Sequence, residues 1–174
     1  MTSHPSSTHA QARAERTRER RQHDRTHLAH HHADLLQLVR QLRQLASRVE
    51  RSGADPHSRR LAAAVVDRMD TLLPDVLARE ARTLSPSVEE SGDPTAQQAA
   101  DQLRSDHGWI SANWYELRPL IDGVARDQSW VDVDLLRDAA DLFCTLLWEH
   151  VGLATTLLER GARRAELEAG AALH

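Results

Sequence analysis

The sequence predicts an all-α protein, an up-down-up-down four-helix bundle with a flexible N-terminal tail. Three observations carry that expectation. Among 174 residues there are only 7 Gly and 6 Pro, and aromatics make up 3%, while Leu, Ala and Arg dominate, a composition that favours helix over sheet. Apolar residues recur at spacings of three, four and seven along four long stretches, the period of a helix that buries one face. The breaks between the stretches are short and hold the Gly, Pro and Asp residues that let neighbouring helices run antiparallel.

Residues 1–12 are set aside as a disordered tail, since MTSHPSSTHA is rich in Ser and Thr and carries a Pro. Helix A is expected from about 11 to 52, with His32, Leu35, Leu36, Val39, Leu42 and Leu45 as its inner stripe and Ser52-Gly53 as its stop. Helix B starts near Pro56, where proline costs no hydrogen bond, and carries Leu61, Val65, Met69, Leu72, Leu73, Val76, Leu77, Glu80 and Leu84. Pro74 should kink it, and Pro86 with the SPSVEESGDPT segment should end it. Helix C is capped by Asp93 or Thr95 and lines up Leu103, His107, Ile110, Ser111, Trp114, Leu117 and Ile121, with Pro119 marking a bend or an end. After a loop at 123–130, helix D spans about 132 to 167 with Leu136, Phe143, Leu146, Leu147, His150, Leu153, Leu157 and Leu158 facing inward. The bundle is thus assigned to 13–168 and a C-terminal tail to 169–174.

A net charge of −4 argues against nucleic acid as the main partner, and the locally basic RAERTRERRQHDR at 13–25 reads as a solvated helix face. All 22 basic residues are Arg, a bias that speaks of codon composition before function. The single Cys144 excludes an intrachain disulfide and reads as a buried inert thiol. No apolar run is long enough to cross a membrane and the N-terminus lacks a hydrophobic signal core, so a cytoplasmic, membrane-free protein is expected.

Polar residues on the inner faces point to chemistry. His32 and His107 are 75 residues apart and Val76 and His150 are 74 apart, so the A-B hairpin overlays the C-D hairpin almost without gaps. HHADLLQLVRQL (31–42) aligns with DHGWISANWYEL (106–117), and LLPDVLARE (72–80) with LLWEHVGLA (146–154). The second pairing sets Val76 against His150 and Glu80 against Ala154.

Across residues 27–160 the chain resembles the hemerythrin-like family, the HHE cation-binding domain, as a divergent member with an incomplete ligand set. That resemblance implies a four-helix bundle holding a non-heme metal centre, usually two irons. His32 and His107 stand where helices A and C of the family each supply a histidine. The family's HxxxEExxLFP frame is kept by VLAREARTLSP (76–86) at Glu80 and Pro86, with Val76 in place of the leading His. Helix D keeps His150 but has Ala154 and Thr155 where a bridging carboxylate is expected, and Ser111 replaces a second helix-C histidine found in some members. What the resemblance leaves as metal ligands is His32, Glu80, His107 and His150. Three imidazoles and a carboxylate suit one divalent metal of intermediate hardness, iron foremost, with zinc, manganese or cobalt as alternatives. A complete two-iron site would need His31, Glu149, Tyr115 or an exogenous carboxylate.

Each of these residues has a plainer reading. A lone buried histidine is usually satisfied by a carbonyl, His30 to His32 can be a solvated cluster with His31 or His32 inward, and Glu80 can pair with Arg79 or Arg82. Trp109, Trp114, Trp130 and Trp148 read as packing residues. Three functions follow. The first is a metal protein that binds, senses or activates dioxygen or a related small molecule. The second is a metal-dependent oxidase or oxygenase for a small organic substrate in a biosynthetic pathway, with Ala154 and Ser111 enlarging the cavity. The third is a metal-free interaction or regulatory module.

Overall fold

The four apolar stripes become four helices in the computed structural model, which describes residues 6–89 and 92–171. They are α1 (Ser6–Ser52), α2 (Pro56–Glu89), α3 (Pro94–Ala125) and α4 (Val133–Ala171), with no strand among the described residues. Each packs against its two sequence neighbours and α1 closes the ring against α4, the up-down-up-down arrangement. The core is the sum of the inner faces: Leu35, Leu42 and Leu45 from α1, Val65, Met69 and Val76 from α2, Ile110, Leu117 and Ile121 from α3, Leu136, Phe143 and Leu147 from α4.

Capping chemistry fixes the turns. Asp55 Oδ1 accepts the backbone N–H groups of His57 and Ser58 at 2.8 Å each, while its Oδ2 accepts from Arg48 Nε at 2.9 Å, tying the start of α2 to the end of α1. Asp93 caps α3 by accepting from the Thr95 backbone N–H, and Asp132 accepts from Leu135 N–H at the head of α4. Gly123, in the last turn of α3, lies under the α3–α4 connection, where an added Cβ would stand 2.6 Å from Val131 Cγ2 and 3.0 Å from Trp130 Cζ2.

Several expected boundaries move outward. Helix α1 begins at Ser6, inside the segment expected to be a disordered tail, because adding residues to a nucleated helix costs little. Residues 1–5 lie outside the described residues, as do 172–174 of the expected C-terminal tail, whereas residues 169–171 still belong to α4. Pro86 does not end α2, which continues to Glu89, nor does Pro119 end α3. In both cases the stripe continues past the proline: Leu84 and Val88 are buried on either side of Pro86, and Leu117, Leu120 and Ile121 around Pro119. That burial offsets the lost backbone bond. The expected loop at 123–130 shortens accordingly, since α3 runs to Ala125. No helix is long and apolar enough to cross a membrane among the described residues.

Of the four tryptophans only Trp114 packs inside, against Phe143 with ring centroids 5.5 Å apart, while its Nε1–H donates to Asp70 Oδ1 at 2.9 Å. Trp109, Trp130 and Trp148 are exposed, correcting their assignment as packing residues. Trp109 and Trp148 sit one position off the inner stripe, where a rotation of about 100° per residue turns a side chain outward, and Trp130 lies in the α3–α4 connection.

Candidate metal centre

Each helix contributes one polar residue to the middle of the core. His32 of α1, Glu80 of α2 and His150 of α4 are at most 3% exposed, and His107 of α3 is partly buried. All three imidazoles meet one carboxylate. His32 Nε2 lies 2.6 Å from Glu80 Oε1, and His107 Nε2 and His150 Nε2 lie 2.9 and 2.8 Å from Glu80 Oε2. The His107 and His150 rings meet edge to face with centroids 5.2 Å apart. Burial works against a charge on Glu80, but hydrogen bonds from His107, His150 and His32 outweigh it and hold the carboxyl well below the usual carboxylate range. Glu80 is therefore an anion in a dry interior.

The far nitrogens test whether this set suits a cation. His32 Nδ1 and His150 Nδ1 are buried and lack hydrogen-bond partners. His150 Nδ1 lies 3.5 Å from Asp106 Oδ2, near a carboxylate but out of hydrogen-bond alignment. A neutral His150 that donates Nε2–H to Glu80 turns a lone pair toward Asp106, acceptor against acceptor. Two species satisfy both ends: an imidazolium, or a neutral ring with Nδ1–H toward Asp106 and its Nε2 lone pair on a cation. Three imidazoliums around one buried carboxylate would leave positive charge uncompensated, at a cost of several kcal/mol per ion. The donor set fits a metal ion, and at His150 a carboxylate stands near the Nδ1–H that a cation on Nε2 requires. Candidate ligand atoms of Glu80, His107 and His150 lie within 4.8 Å of one another, with His32 on the other oxygen of the same carboxylate.

All four sequence candidates thus come together, and His32, not His31, is the inward residue at that pair. His31 instead faces Asp75, with Nδ1 3.6 Å from Oδ2. Glu80 does not pair with Arg79, which binds Asp75 at 2.8 Å. Val76 and Ala154, each fully buried, stand one turn from Glu80 and His150 and form apolar wall. Ser111 does not enlarge the interior: its side chain is exposed and donates to the His107 carbonyl oxygen at 2.7 Å. Tyr115 is 80% exposed and Glu149 also faces outward, so neither supplements the set.

Sequence reasoning missed Asp106. It precedes His107, so a turn of about 100° takes it off the inner face toward α4. The only signal was the Asp-His pair itself, a carboxylate beside an expected ligand.

Neither a curated protein nor a solved structure matches the chain significantly. Residues 23–156 match the hemerythrin HHE cation binding domain, a span that contains all four helices' contributions to the cluster. The chain belongs to the hemerythrin HHE cation binding domain family.

Proposed function

We propose that the chain is a mononuclear non-heme metal protein, with iron at His32, Glu80, His107 and His150, that binds, senses or activates dioxygen or a related small molecule. The observation carrying this reading is the convergence of three imidazole Nε2 atoms on one buried carboxylate. A bound iron would supply an electron-accepting and electron-donating centre with Lewis acidity. The chain's part is defined by its residues. Neutral imidazoles and one carboxylate hold the charge balance at +1 for a divalent ion. Val76 and Ala154 keep water from the wall beside the cluster, and Asp106 Oδ2, 3.5 Å from His150 Nδ1, would accept the Nδ1–H of a ring bound through Nε2.

A second reading, the oxidase or oxygenase, draws on one feature. A cleft of about 500 Å³ between α3 and α4 is lined by Asp106, Trp109, Ile110, Leu146 and Leu153, so a small organic molecule seated there would lie behind the carboxylate that faces His150.

Elemental analysis of tag-free protein from iron-supplemented cells tests the first claim. About one equivalent of iron, lost in His107→Ala and His150→Ala variants, is the expected result. Sub-stoichiometric metal unchanged in those variants would sink the metal reading and favour the metal-free module. With iron present, a reversible absorption change under dioxygen or nitric oxide without turnover supports binding or sensing. Oxygen consumption driven by a metabolite pool supports the enzyme.

A further inference from the structure

A second set of histidines lies on the outside of α1. His23, His27 and His31 follow at four-residue intervals, which stacks them on one helix face. Ring centroids are 5.3 Å apart for His23 and His27 and 5.4 Å apart for His27 and His31. A cation bonded to one nitrogen of each of two imidazoles at about 2.0–2.1 Å sits about 3.2 Å from each ring centre. The observed spacings then subtend roughly 110–115° at the ion, close to the tetrahedral angle.

The innermost of the three faces a carboxylate. His31 Nδ1 is buried, has no aligned hydrogen-bond partner and lies 3.6 Å from Asp75 Oδ2. Asp75 is held ionised chiefly by the hydrogen bond from Arg79, so it favours Nδ1–H on His31 and leaves the Nε2 lone pair available. His30 differs, because its Nδ1 is engaged with the Thr26 carbonyl oxygen at 3.1 Å. The ladder borders a surface cavity of about 380 Å³ that includes Asp34. His23 and His27 are exposed, so their rings can turn on the picosecond to nanosecond scale without moving the backbone.

We propose that His27 and His31, with Asp75 beside the far nitrogen of His31 and His23 extending the ladder, form a peripheral site for a borderline divalent ion such as Zn(II), separate from the interior cluster. Two histidines four residues apart on one helix face are the pair that zinc motifs use for two of their ligands, and His23 with water would complete the coordination. The site stands whether or not the interior holds iron.

Titrating Zn(II) into chelator-stripped, tag-free full-length protein against a chromophoric competitor tests it. The expected result is one zinc equivalent that disappears in His27→Gln/His31→Gln and persists in His107→Ala/His150→Ala. Asp75→Asn should weaken that equivalent by about 10-fold to 100-fold with helicity unchanged. Retention of every zinc equivalent in His27→Gln/His31→Gln overturns the proposal. So does equal loss on replacing His57, an exposed histidine elsewhere on the surface. Failure of the interior centre would instead show as zinc and iron binding unaffected by His107→Ala/His150→Ala, so the two outcomes stay distinct.

Discussion

Truncating Glu80 removes the acceptor shared by three inward imidazoles. Each polar group left dry and unpaired costs about 1–3 kcal/mol. Glu80→Ala should therefore lower the unfolding free energy of the metal-free protein by about 3 kcal/mol or more, read from the urea midpoint. Asp106→Asn acts differently, since it leaves the ligands in place and weakens the grip on His150. It should reduce iron affinity by about 10-fold to 100-fold without changing stoichiometry at saturating metal, measured by competition with a chelator. At this scale the inward histidines and Glu80 were legible because an inner-face position follows from helical period alone. That one carboxylate would gather all three rings was not, because the meeting of four helices depends on their relative rotation. Asp106 was hidden for the same reason: its partner is on another helix, 44 residues away in sequence.

Between elements, the junctions carry the testable chemistry. Asp55 is held at a pKa of about 2, below its ordinary 3.8, first by the Ser58 backbone N–H and then by Arg48. Its folded-state value is depressed, so its stabilisation is fully present above the unfolded pKa and fades as pH falls from about 4 toward 2. Asp55→Asn should lower the melting temperature at neutral pH and narrow the gap to wild type as the solution is acidified, followed by circular dichroism. Gly123→Ala tests the α3–α4 junction. The new methyl meets Val131, whose branched side chain has few alternative rotamers, and the exposed Trp130 must move aside. A loss of about 1–3 kcal/mol with a shift in tryptophan fluorescence is expected. Helix starts at Pro56 and Asp93 were legible from proline tolerance and capping. The end of α2 was not, because a stop signal at Pro86 competes with buried Leu84 and Val88, and only the assembled bundle sets the value of that burial.

Across the whole molecule, a ligand that binds only the folded bundle stabilises it by mass action, by about 2.7 kcal/mol when free ligand is 100 times its Kd. Divalent metal should therefore raise the melting temperature of wild type by several degrees, and a His107→Ala/His150→Ala protein should show no such rise from the interior site. The fold class was legible as a whole because four stripes of the same period admit few ways to bury one another. The end of α1 at Ser52 and most of its length were legible as well, and only its first turn at Ser6 was not, because the polar first half of the helix carries no stripe to mark where it begins.

Cys144 adds a readout of motion. Its thiol is fully buried in the seam where α4 meets α1, with Sγ 3.7 Å from the Val39 carbonyl oxygen, and burial pushes its pKa up to about 11. A water-borne thiol reagent can reach it only during excursions that part those two helices. The sole sulfhydryl of the chain thus works as an internal stopwatch, and its labelling rate, with and without metal, times how often the bundle opens between α1 and α4.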